Sequence, residues 1–426
     1  MSATAEPRAA ATPDPMHQPA RMQSDVPQRG FAPTPHAPHS TDRLRTPQRV
    51  LFYVQHLVGI GHLKRSSVLV RAMLARGLDV TVVTGGVSVP GIDFGNAPIL
   101  PLPPLRARDV KTYGLVDERG HRPGPLFWWR RKRELLRIFE SVDPHALVID
   151  LFPFGRMQFR GELIPLLDAA AARGCVRFSS MRDVVQPKKK ERDNQHMVTL
   201  AEKHFDRLLI HGDPSLLTLD QSLQAAARIA HMLEYTGYVV EDSRPAAPAA
   251  PSVVVSVGGG AVGEGLLRTA LAARPLTRFH AQPWHLLCGI NFDPRGVEAL
   301  RREAPEGVRV EQHRDDFPSL LRGALASVSQ AGYNTAMEIL AARVPAVLVP
   351  FVADGETEQF VRCRALASRG LARVVTELTP QSLAAAIDNA QRPPDDLPID
   401  LGGAQRTAIL VHDAIGAAQR KARDAR

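Results

Sequence analysis

Residues 327–369 constrain the fold of this chain more than any other segment. A strand of small residues, 326–329, runs into a turn at Gly332 and then into a helix. A second apolar strand, 346–351, leads through an acidic loop into another helix near Gln359. Successive strand–loop–helix units place their loops and helix N-termini at one edge of a parallel sheet, where α/β folds bind ligands. Exposed amides and the helix dipole make that edge suited to phosphate.

Length and composition bound the class of protein. At 426 residues the chain exceeds one typical domain, and 44% hydrophobic with 23% charged residues is usual for a soluble globular protein. The net charge of +9 fits an anionic ligand, a membrane surface or nucleic acid equally well. The three cysteines are far apart, which argues against a disulfide framework or a zinc site. No apolar run reaches the ~20 residues of a membrane span and no signal-peptide core is present, so we expect a cytoplasmic protein.

Composition and periodicity divide the chain into five segments. Residues 1–47 are rich in Pro, Ala, His and Gln without periodicity, which predicts a disordered tail. Residues 48–240 alternate strands and helices, which implies a doubly wound parallel sheet. Residues 241–251 contain three prolines and are expected to link this domain to a second one, residues 252–400. Residues 401–426 are predicted to form a C-terminal helix and a basic tail.

Both predicted domains open in the same way. An apolar strand at 49–54 is followed by a turn with Gly59 and Gly61 and then by a helix. A second strand at 252–257 is followed by a glycine-rich turn and another helix. Two nucleotide-binding-type domains would show this repetition, with a ligand in the cleft between them. The remaining predicted strands cover 78–83, 146–151, 176–180 and 207–211, and the predicted helices cover 126–141, 162–172, 194–204 and 264–273.

The second glycine turn and the helix after Gly332 suggest a nucleotide site. Because they lack a Cβ, Gly258, Gly259 and Gly260 let backbone amides approach a diphosphate and permit positive φ values. A plain turn that closes the connection is the alternative, since glycine motifs recur by chance. The carboxylate of Glu338 could accept two adjacent hydroxyls, as on a ribose. Its alternative is interaction with the helix dipole on a solvated face.

The motif SxxGxxTxxE, which contains Gly332, Thr335 and Glu338, resembles the C-terminal domain of glycosyltransferase family 28. The apolar strand and the loop with Gln359 that follow it add to this resemblance. The resemblance implies a GT-B fold, in which two Rossmann-like doubly wound parallel-sheet domains face each other across a cleft. It also implies an enzyme that transfers a hexose from a nucleotide-sugar, expected to be UDP-linked, to a hydroxyl acceptor that can be lipid-linked.

The resemblance also implies roles for individual residues. The donor-binding set that it implies is Gly258, Gly259, Gly260, Gly332, Thr335, Glu338, Glu358 and Gln359. Within this set Glu338 would hold the ribose, and Glu358 with Gln359 would face the donor sugar. The turn with Gly59 and Gly61 would lie on the acceptor side of the cleft.

Transfer to a hydroxyl requires a general base, and a histidine titrating near neutrality is the usual candidate. His62 follows the first glycine turn at a helix start, where the resemblance supports a catalytic role and a structural histidine is the alternative. Asp183, after the strand at 176–180, is the second candidate, because strand C-terminal ends carry function in this architecture.

We expect neither a metal nor a cofactor. No two aspartates are separated by one residue, so the Asp-x-Asp motif that holds a metal in other transferase folds is missing. Amides at a glycine-rich helix N-terminus can stabilise a departing diphosphate instead. Retaining GT-B enzymes typically have a second glutamate where this chain has Gln330, so the resemblance implies inversion at the anomeric carbon.

The segment 127–133 is a candidate for a peripheral membrane contact. Trp128 and Trp129 stand beside Arg130 and Arg131, and aromatic rings with basic neighbours suit an interface with anionic lipids. The alternative is an amphipathic helix that buries its aromatic side chains. No zinc-finger spacing, RNA-recognition signature or basic helix supports nucleic-acid binding.

Two other functions share these features. A nucleotide-sugar 2-epimerase has the same two-domain fold, although it would need further acid and base residues close to the sugar. A non-catalytic nucleotide-sugar-binding protein would keep the donor loops alone. The sequence leaves the acceptor, the donor base and the donor sugar open.

Overall fold

The computed structural model describes residues 47–57, 59–108, 114–241, 249–259, 262–314, 316–351 and 357–425. Apart from residue 47, the predicted tail 1–47 lies outside this part of the chain, and so do residues 242–248 of the predicted linker. Pro47–Arg426 form one compact unit.

The secondary structure alternates strands and helices along most of the described chain. In chain order the strands are β1 (Arg49–Val54), β2 (Asp79–Thr84), β3 (Ile99–Pro101), β4 (Arg106–Ala107), β5 (Leu115–Val116), β6 (Ala146–Asp150), β7 (Val176–Arg182), β8 (Arg207–His211), β9 (Leu233–Tyr235), β10 (Ser252–Ser256), β11 (Trp284–Leu287), β12 (Val308–Glu311), β13 (Ala324–Ser329), β14 (Ala346–Leu348) and β15 (Arg373–Val374). The helices are α1 (Gly61–Ala75), α2 (Pro125–Val142), α3 (Arg160–Ala172), α4 (Glu191–His204), α5 (Glu264–Ala273), α6 (Pro294–Glu303), α7 (Phe317–Gly323), α8 (Tyr333–Ala342), α9 (Glu358–Ser368), α10 (Pro380–Asp388) and α11 (Gly403–Asp424).

Two large parallel sheets organise the described residues. The first has the order β3-β2-β1-β6-β7-β8-β9 and the second has the order β12-β11-β10-β13-β14-β15. We call residues 47–241, built on the first sheet, the N-lobe and residues 249–401, built on the second, the C-lobe. In each sheet the strand order reverses beside the lobe's first strand, which opens a crevice at the carboxyl ends of the strands. The predicted α/β architecture of two doubly wound sheets is confirmed.

Strand β1 explains why its lobe has helices on both faces. Its residues from Val50 to Val54 are fully buried, as in parallel strands covered from both sides. Leu51 and Tyr53 enter one hydrophobic cluster, whereas Val50, Phe52 and Val54 enter another. Successive strand side chains point to opposite faces, so this continuous apolar run supplies two cores.

Helix α11 lies in the predicted segment 401–426 and packs on the N-lobe. Its side chains Ala404, Ala408, Val411 and Ile415 share a buried cluster with β1 and α1. The chain reaches α11 beside the segment that leaves the N-lobe. The amide of Gly403 donates to the carbonyl of Tyr238, and Val239 forms a β-bridge with Gly402. The two crossings between the lobes are therefore adjacent.

The strand predicted at 346–351 is shorter in the structure, and β14 ends at Leu348. Beyond it the amide of Val349 still bonds to the carbonyl of Ser329, but the amide of Phe351 donates to the side chain of Gln359. A side chain thus replaces the neighbouring strand as acceptor. Strand β9 and the antiparallel pair β4–β5 were not predicted, because each is only two or three residues long.

Candidate active site

A cavity of about 370 Å³ lies between the two lobes at the carboxyl ends of their strands. Its volume is in the range of small-molecule sites. From the N-lobe it is lined by Leu57, Gly59, Ile60, Gly61, His62, Arg65, Arg156 and Arg182. From the C-lobe it is lined by Val257, Gly258, Gly259, Val262, Gln330, Gly332, Tyr333, Asn334, Thr335, Phe351 and Gln359. Most of the predicted site residues therefore meet in one place.

His62 is the second residue of α1 and faces Asp150, the last residue of β6. Its Nδ1 lies 2.7 Å from Oδ2 of Asp150. One turn further along α1, a terminal nitrogen of Arg65 donates to the other carboxylate oxygen at 2.6 Å. β1 and β6 are neighbours in the sheet, so the turn after β1 and the end of β6 meet at the point where the strand order reverses.

The electrostatics of this group keep the imidazole neutral. Burial lowers the pKa of His62 to about 4, and the nearby cations Arg156 and Arg182 add to the decrease, while Asp150 opposes it. Burial alone would raise the pKa of the Asp150 carboxyl, but His62 and Arg65 outweigh it and hold that pKa well below its usual range. An ionised Asp150 accepts a hydrogen bond from Nδ1–H and leaves Nε2 as a proton acceptor.

Asp150 was missed by the sequence reasoning. The signal that could have found it is a carboxylate at the end of the apolar run ALVI, since polar residues at the carboxyl ends of parallel strands lie at ligand sites in this architecture. The strand itself was predicted, but its pairing with a histidine 88 residues earlier was not.

The C-lobe side of the cavity is built on backbone groups. Gly258 has φ +70, and a Cβ there would lie 3.3 Å from the hydroxyl oxygen of Thr335. Gly332 immediately precedes α8, so the free amides of the first helical turn open next to the glycine turn. A glycine turn against a helix N-terminus is a favourable anion site. Gly260 lies outside the described residues.

Gln359 joins two loops on the C-lobe side of the cavity. Its side-chain oxygen accepts hydrogen bonds from the amides of Ala331 at 3.0 Å and Phe351 at 3.1 Å. This oxygen therefore ties the segment after β13 to the segment after β14, while the residue still lines the cavity.

Glu338 and Glu358 are not among the residues that line the cavity. The ammonium group of Lys64, on α1, lies 2.6 Å from Glu338 and forms an ion pair between the lobes. Glu358 is buried and accepts from Arg182 at 2.7 Å and from Arg362 at 3.0 Å. Contact of either carboxylate with a donor sugar or ribose stays a prediction.

Asp183 is part of a buried connection between the lobes. Its two oxygens accept from Arg362 at 2.6 and 2.9 Å, and both side chains are fully buried. The hydroxyl of Tyr238 donates to the same carboxylate at 3.3 Å. We call Asp183, Arg362, Glu358 and Arg182 the interlobe latch. With both oxygens occupied away from the cavity, the Asp183 carboxylate bridges the lobes and leaves His62 as the candidate base.

The structure corrects the predicted membrane contact at Arg131. This side chain is completely buried, donates to both oxygens of Glu162 and also reaches Gln55 at 2.6 Å. Trp128 is half-buried and packs on Phe159 with ring centroids 5.7 Å apart. The helical period turns these positions inward, as the amphipathic alternative requires.

Trp129, which is 50% exposed, and Arg130 remain on the surface of α2. Membrane contact through them stays a prediction. In the described part of the chain, no helix is long and apolar enough to cross a membrane. Nor do the described residues include a group of three or more His, Cys, Asp or Glu side chains placed to hold a metal ion.

Comparison with known proteins gives a family match and several sequence relatives. Residues 254–400 match the glycosyltransferase family 28 C-terminal domain. A UDP-N-acetylglucosamine–N-acetylmuramyl-(pentapeptide) pyrophosphoryl-undecaprenol N-acetylglucosamine transferase from Carboxydothermus hydrogenoformans is 37% identical over 82 residues, which are 18% of this chain and 22% of that protein. The enzyme of the same name from Leuconostoc citreum is 32% identical over 114 residues, 26% of this chain and 30% of that protein. The matches thus span less than a third of these relatives.

Solved structures resemble nearly the whole chain. The calicheamicin glycosyltransferase CalG4 superposes with a TM-score of 0.55 at 19% identity, covering 89% of this chain and 98% of CalG4. MurG from Acinetobacter baumannii superposes with a TM-score of 0.52 at 17% identity, covering 86% of this chain and 100% of MurG. These likenesses confirm the predicted GT-B fold.

Proposed function

We propose, from the match of residues 254–400 to the glycosyltransferase family 28 C-terminal domain, that this chain transfers a hexose from a nucleotide-sugar to a hydroxyl acceptor, with inversion and without a metal. One observation carries the proposal. His62, which is hydrogen-bonded to Asp150, lines the cavity from one lobe, and Gly258 and the start of α8 line it from the other. A base for the acceptor hydroxyl and an anion site for the leaving diphosphate thus face the same cavity.

The proposed reaction uses both sides of this cavity. Nε2 of His62 takes the acceptor proton while the hydroxyl oxygen bonds to the anomeric carbon. The bond from that carbon to the diphosphate breaks on the opposite side, which inverts the configuration. The charge that develops on the leaving diphosphate is stabilised by the amides near Gly258 and by the N-terminus of α8. Asp150 holds the productive tautomer of His62 and stabilises the imidazolium.

We propose a UDP-linked sugar as the donor. The names of the curated relatives contain UDP-N-acetylglucosamine, and the family match falls in the C-lobe, where the anion site lies. The acceptor binds against the N-lobe, which that family match does not include. An epimerase is less favoured, because His62 is the sole His, Asp or Glu among the described residues that line the cavity.

Nucleotide release tests this function. Full-length protein is incubated with UDP-sugars, and UDP is measured with and without candidate hydroxyl acceptors, in EDTA and in magnesium. We expect acceptor-stimulated UDP release at equal rates in both buffers. An epimerase would interconvert the sugars without net release, and a binding protein would only bind them. A requirement for magnesium would refute the metal-independent mechanism.

The pH dependence tests the assignment of His62 as base. Its pKa of about 4, against an ordinary value of 6.5, means that the active neutral form persists well below neutrality. We therefore expect kcat/KM to stay level as the pH falls from 7 to about 5 and to decline only towards pH 4. An acid limb near 6.5 would contradict the buried, cation-flanked environment of this imidazole.

Stability must be followed in the same experiment. The lowered folded-state pKa of His62 means that the unfolded chain binds the proton more readily, so this group's contribution to stability is lost as the pH falls from 6.5 towards 4. Circular dichroism at each pH separates loss of the base from loss of the fold.

A further inference from the structure

The N-lobe wall of the cavity carries a cation without a carboxylate partner. Arg65 is paired with Asp150, and Arg182 is paired with Glu358. Among the described residues, the hydrogen bond of Arg156 is the one from Nε to the backbone oxygen of Gln55, at 2.7 Å. Its two terminal nitrogens therefore have no protein acceptor within the described chain, although the residue lines the cavity.

The backbone holds Arg156 in a conformation that arginine rarely adopts. Its φ is 60, and Leu151, at the other end of the same loop, has φ 66. A non-glycine residue in the left-handed region costs free energy, and such residues cluster at ligand sites. Between them, a Cβ on Gly155 would lie 2.5 Å from the Leu151 side chain. The loop after β6 is thus packed in one shape that presents Arg156 to the cavity.

The charge of Arg156 acts on His62, the proposed base. Burial lowers the pKa of Arg156, and the repulsion of Arg182 and Arg65 contributes although Asp150 opposes it. The same two cations, Arg156 and Arg182, lie close enough to His62 to lower its pKa. Like charges gathered beside a buried imidazole are unfavourable until an anion neutralises them.

We propose that Arg156, together with Arg182, binds a phosphate ester of the acceptor beside the hydroxyl that His62 deprotonates. This inference rests on the proposed function and specifies its acceptor class. Guanidinium groups donate paired hydrogen bonds to phosphate oxygens, and two of them match a tetrahedral anion better than a planar carboxylate, which one arginine can satisfy.

We assign these arginines to the acceptor because they lie on the N-lobe, as His62 does. Arg156 follows β6 and Arg182 ends β7, on the same lobe as His62, whereas the glycine turn at Gly258 and α8 belong to the C-lobe. Neutralising the cations also weakens their effect on His62. The correct acceptor would therefore make its own base stronger.

Binding of inorganic phosphate tests the site without turnover. Calorimetry is done on the full chain with saturating UDP, which occupies the donor-side anion site, for wild type, Arg156→Gln and Arg160→Gln. Arg160 is an exposed arginine four residues later and serves as the matched control. We expect Arg156→Gln to weaken phosphate binding by roughly 10- to 100-fold and to leave UDP affinity within about two-fold, with Arg160→Gln resembling wild type.

Each result decides one claim. Equal phosphate binding by wild type and Arg156→Gln, or no binding by wild type, would overturn the phosphate site. Loss of UDP affinity in Arg156→Gln would move Arg156 to the donor side and overturn the acceptor assignment. If wild type binds no UDP, the proposed function fails. Phosphate titration without UDP then still measures how much Arg156 contributes to phosphate binding.

Competition distinguishes a free phosphate ester from a lipid headgroup. Glycerol 3-phosphate and phosphatidylglycerol vesicles both place hydroxyls near a phosphate, and glycerol and phosphatidylcholine vesicles are their controls. Displacement of inorganic phosphate by the soluble ester alone indicates a free acceptor, and displacement by the phosphatidylglycerol vesicles alone indicates a membrane acceptor. Displacement by neither contradicts the proposal.

Discussion

Replacing His62 by alanine is expected to lower kcat for sugar transfer by about 10²- to 10⁴-fold, the usual contribution of a general base. The affinity for UDP should stay within about two-fold of wild type, because the anion site at Gly258 and α8 is on the other lobe. The measurement is steady-state UDP release, together with UDP binding by calorimetry.

Two further observations separate a lost base from a disturbed fold. Added imidazole should restore part of the activity of His62→Ala, since the vacated space faces the cavity, and it should not stimulate wild type. His196→Ala provides the control, because His196 is an exposed histidine on α4 of the same lobe. A His62→Ala protein that retained most of its kcat would refute the assignment of His62 as base.

Replacing Arg362 by methionine is expected to lower the free energy of unfolding by about 3–5 kcal/mol, the usual cost of removing one partner of a buried ion pair. Asp183 is fully buried and would lose the guanidinium that serves both of its oxygens. Glu358 would keep Arg182. Urea unfolding followed by circular dichroism measures the difference as a shift in midpoint.

A control for Arg362→Met is available on the same helix, α9. Arg364 is exposed and lies over the ring of Phe360 at 6.0 Å, so Arg364→Met should change stability by less than about 0.5 kcal/mol. Combining Arg362→Met with Asp183→Leu should recover part of the loss, because a well-packed apolar pair can replace a buried ion pair. An unchanged midpoint in Arg362→Met would show that the interlobe latch is not a stabilising contact.

The sequence predicted the features that depend on local pattern. The apolar run of β1 and the turn with Gly59 and Gly61 indicated a parallel sheet with a ligand site at its edge, and the structure has the parallel sheet and a cavity at that edge. The helix predicted at 264–273 coincides with α5, because its start after Gly263 and its apolar positions are visible in neighbouring residues.

The contacts that were missed join residues far apart in the chain. Asp150 pairs with a residue 88 positions earlier, and Asp183 pairs with one 179 positions later. Neither partner alters the local pattern around the aspartate. Arg131 was misjudged for the same reason, since its partner Glu162 lies on the next helix and the run of basic residues around Arg131 is typical of a surface. Long-range pairing of charges depends on the tertiary fold.

The position of helix α11 has a consequence for synthesis on the ribosome. The N-lobe is translated before the C-lobe, yet Val50 and Phe52 of its sheet share a buried cluster with Ala408 and Val411 of α11. That cluster stays incomplete until α11, which follows the C-lobe in the chain, has been made. The two lobes therefore cannot mature strictly one after the other, and the nascent N-lobe exposes a surface of the kind that chaperones bind.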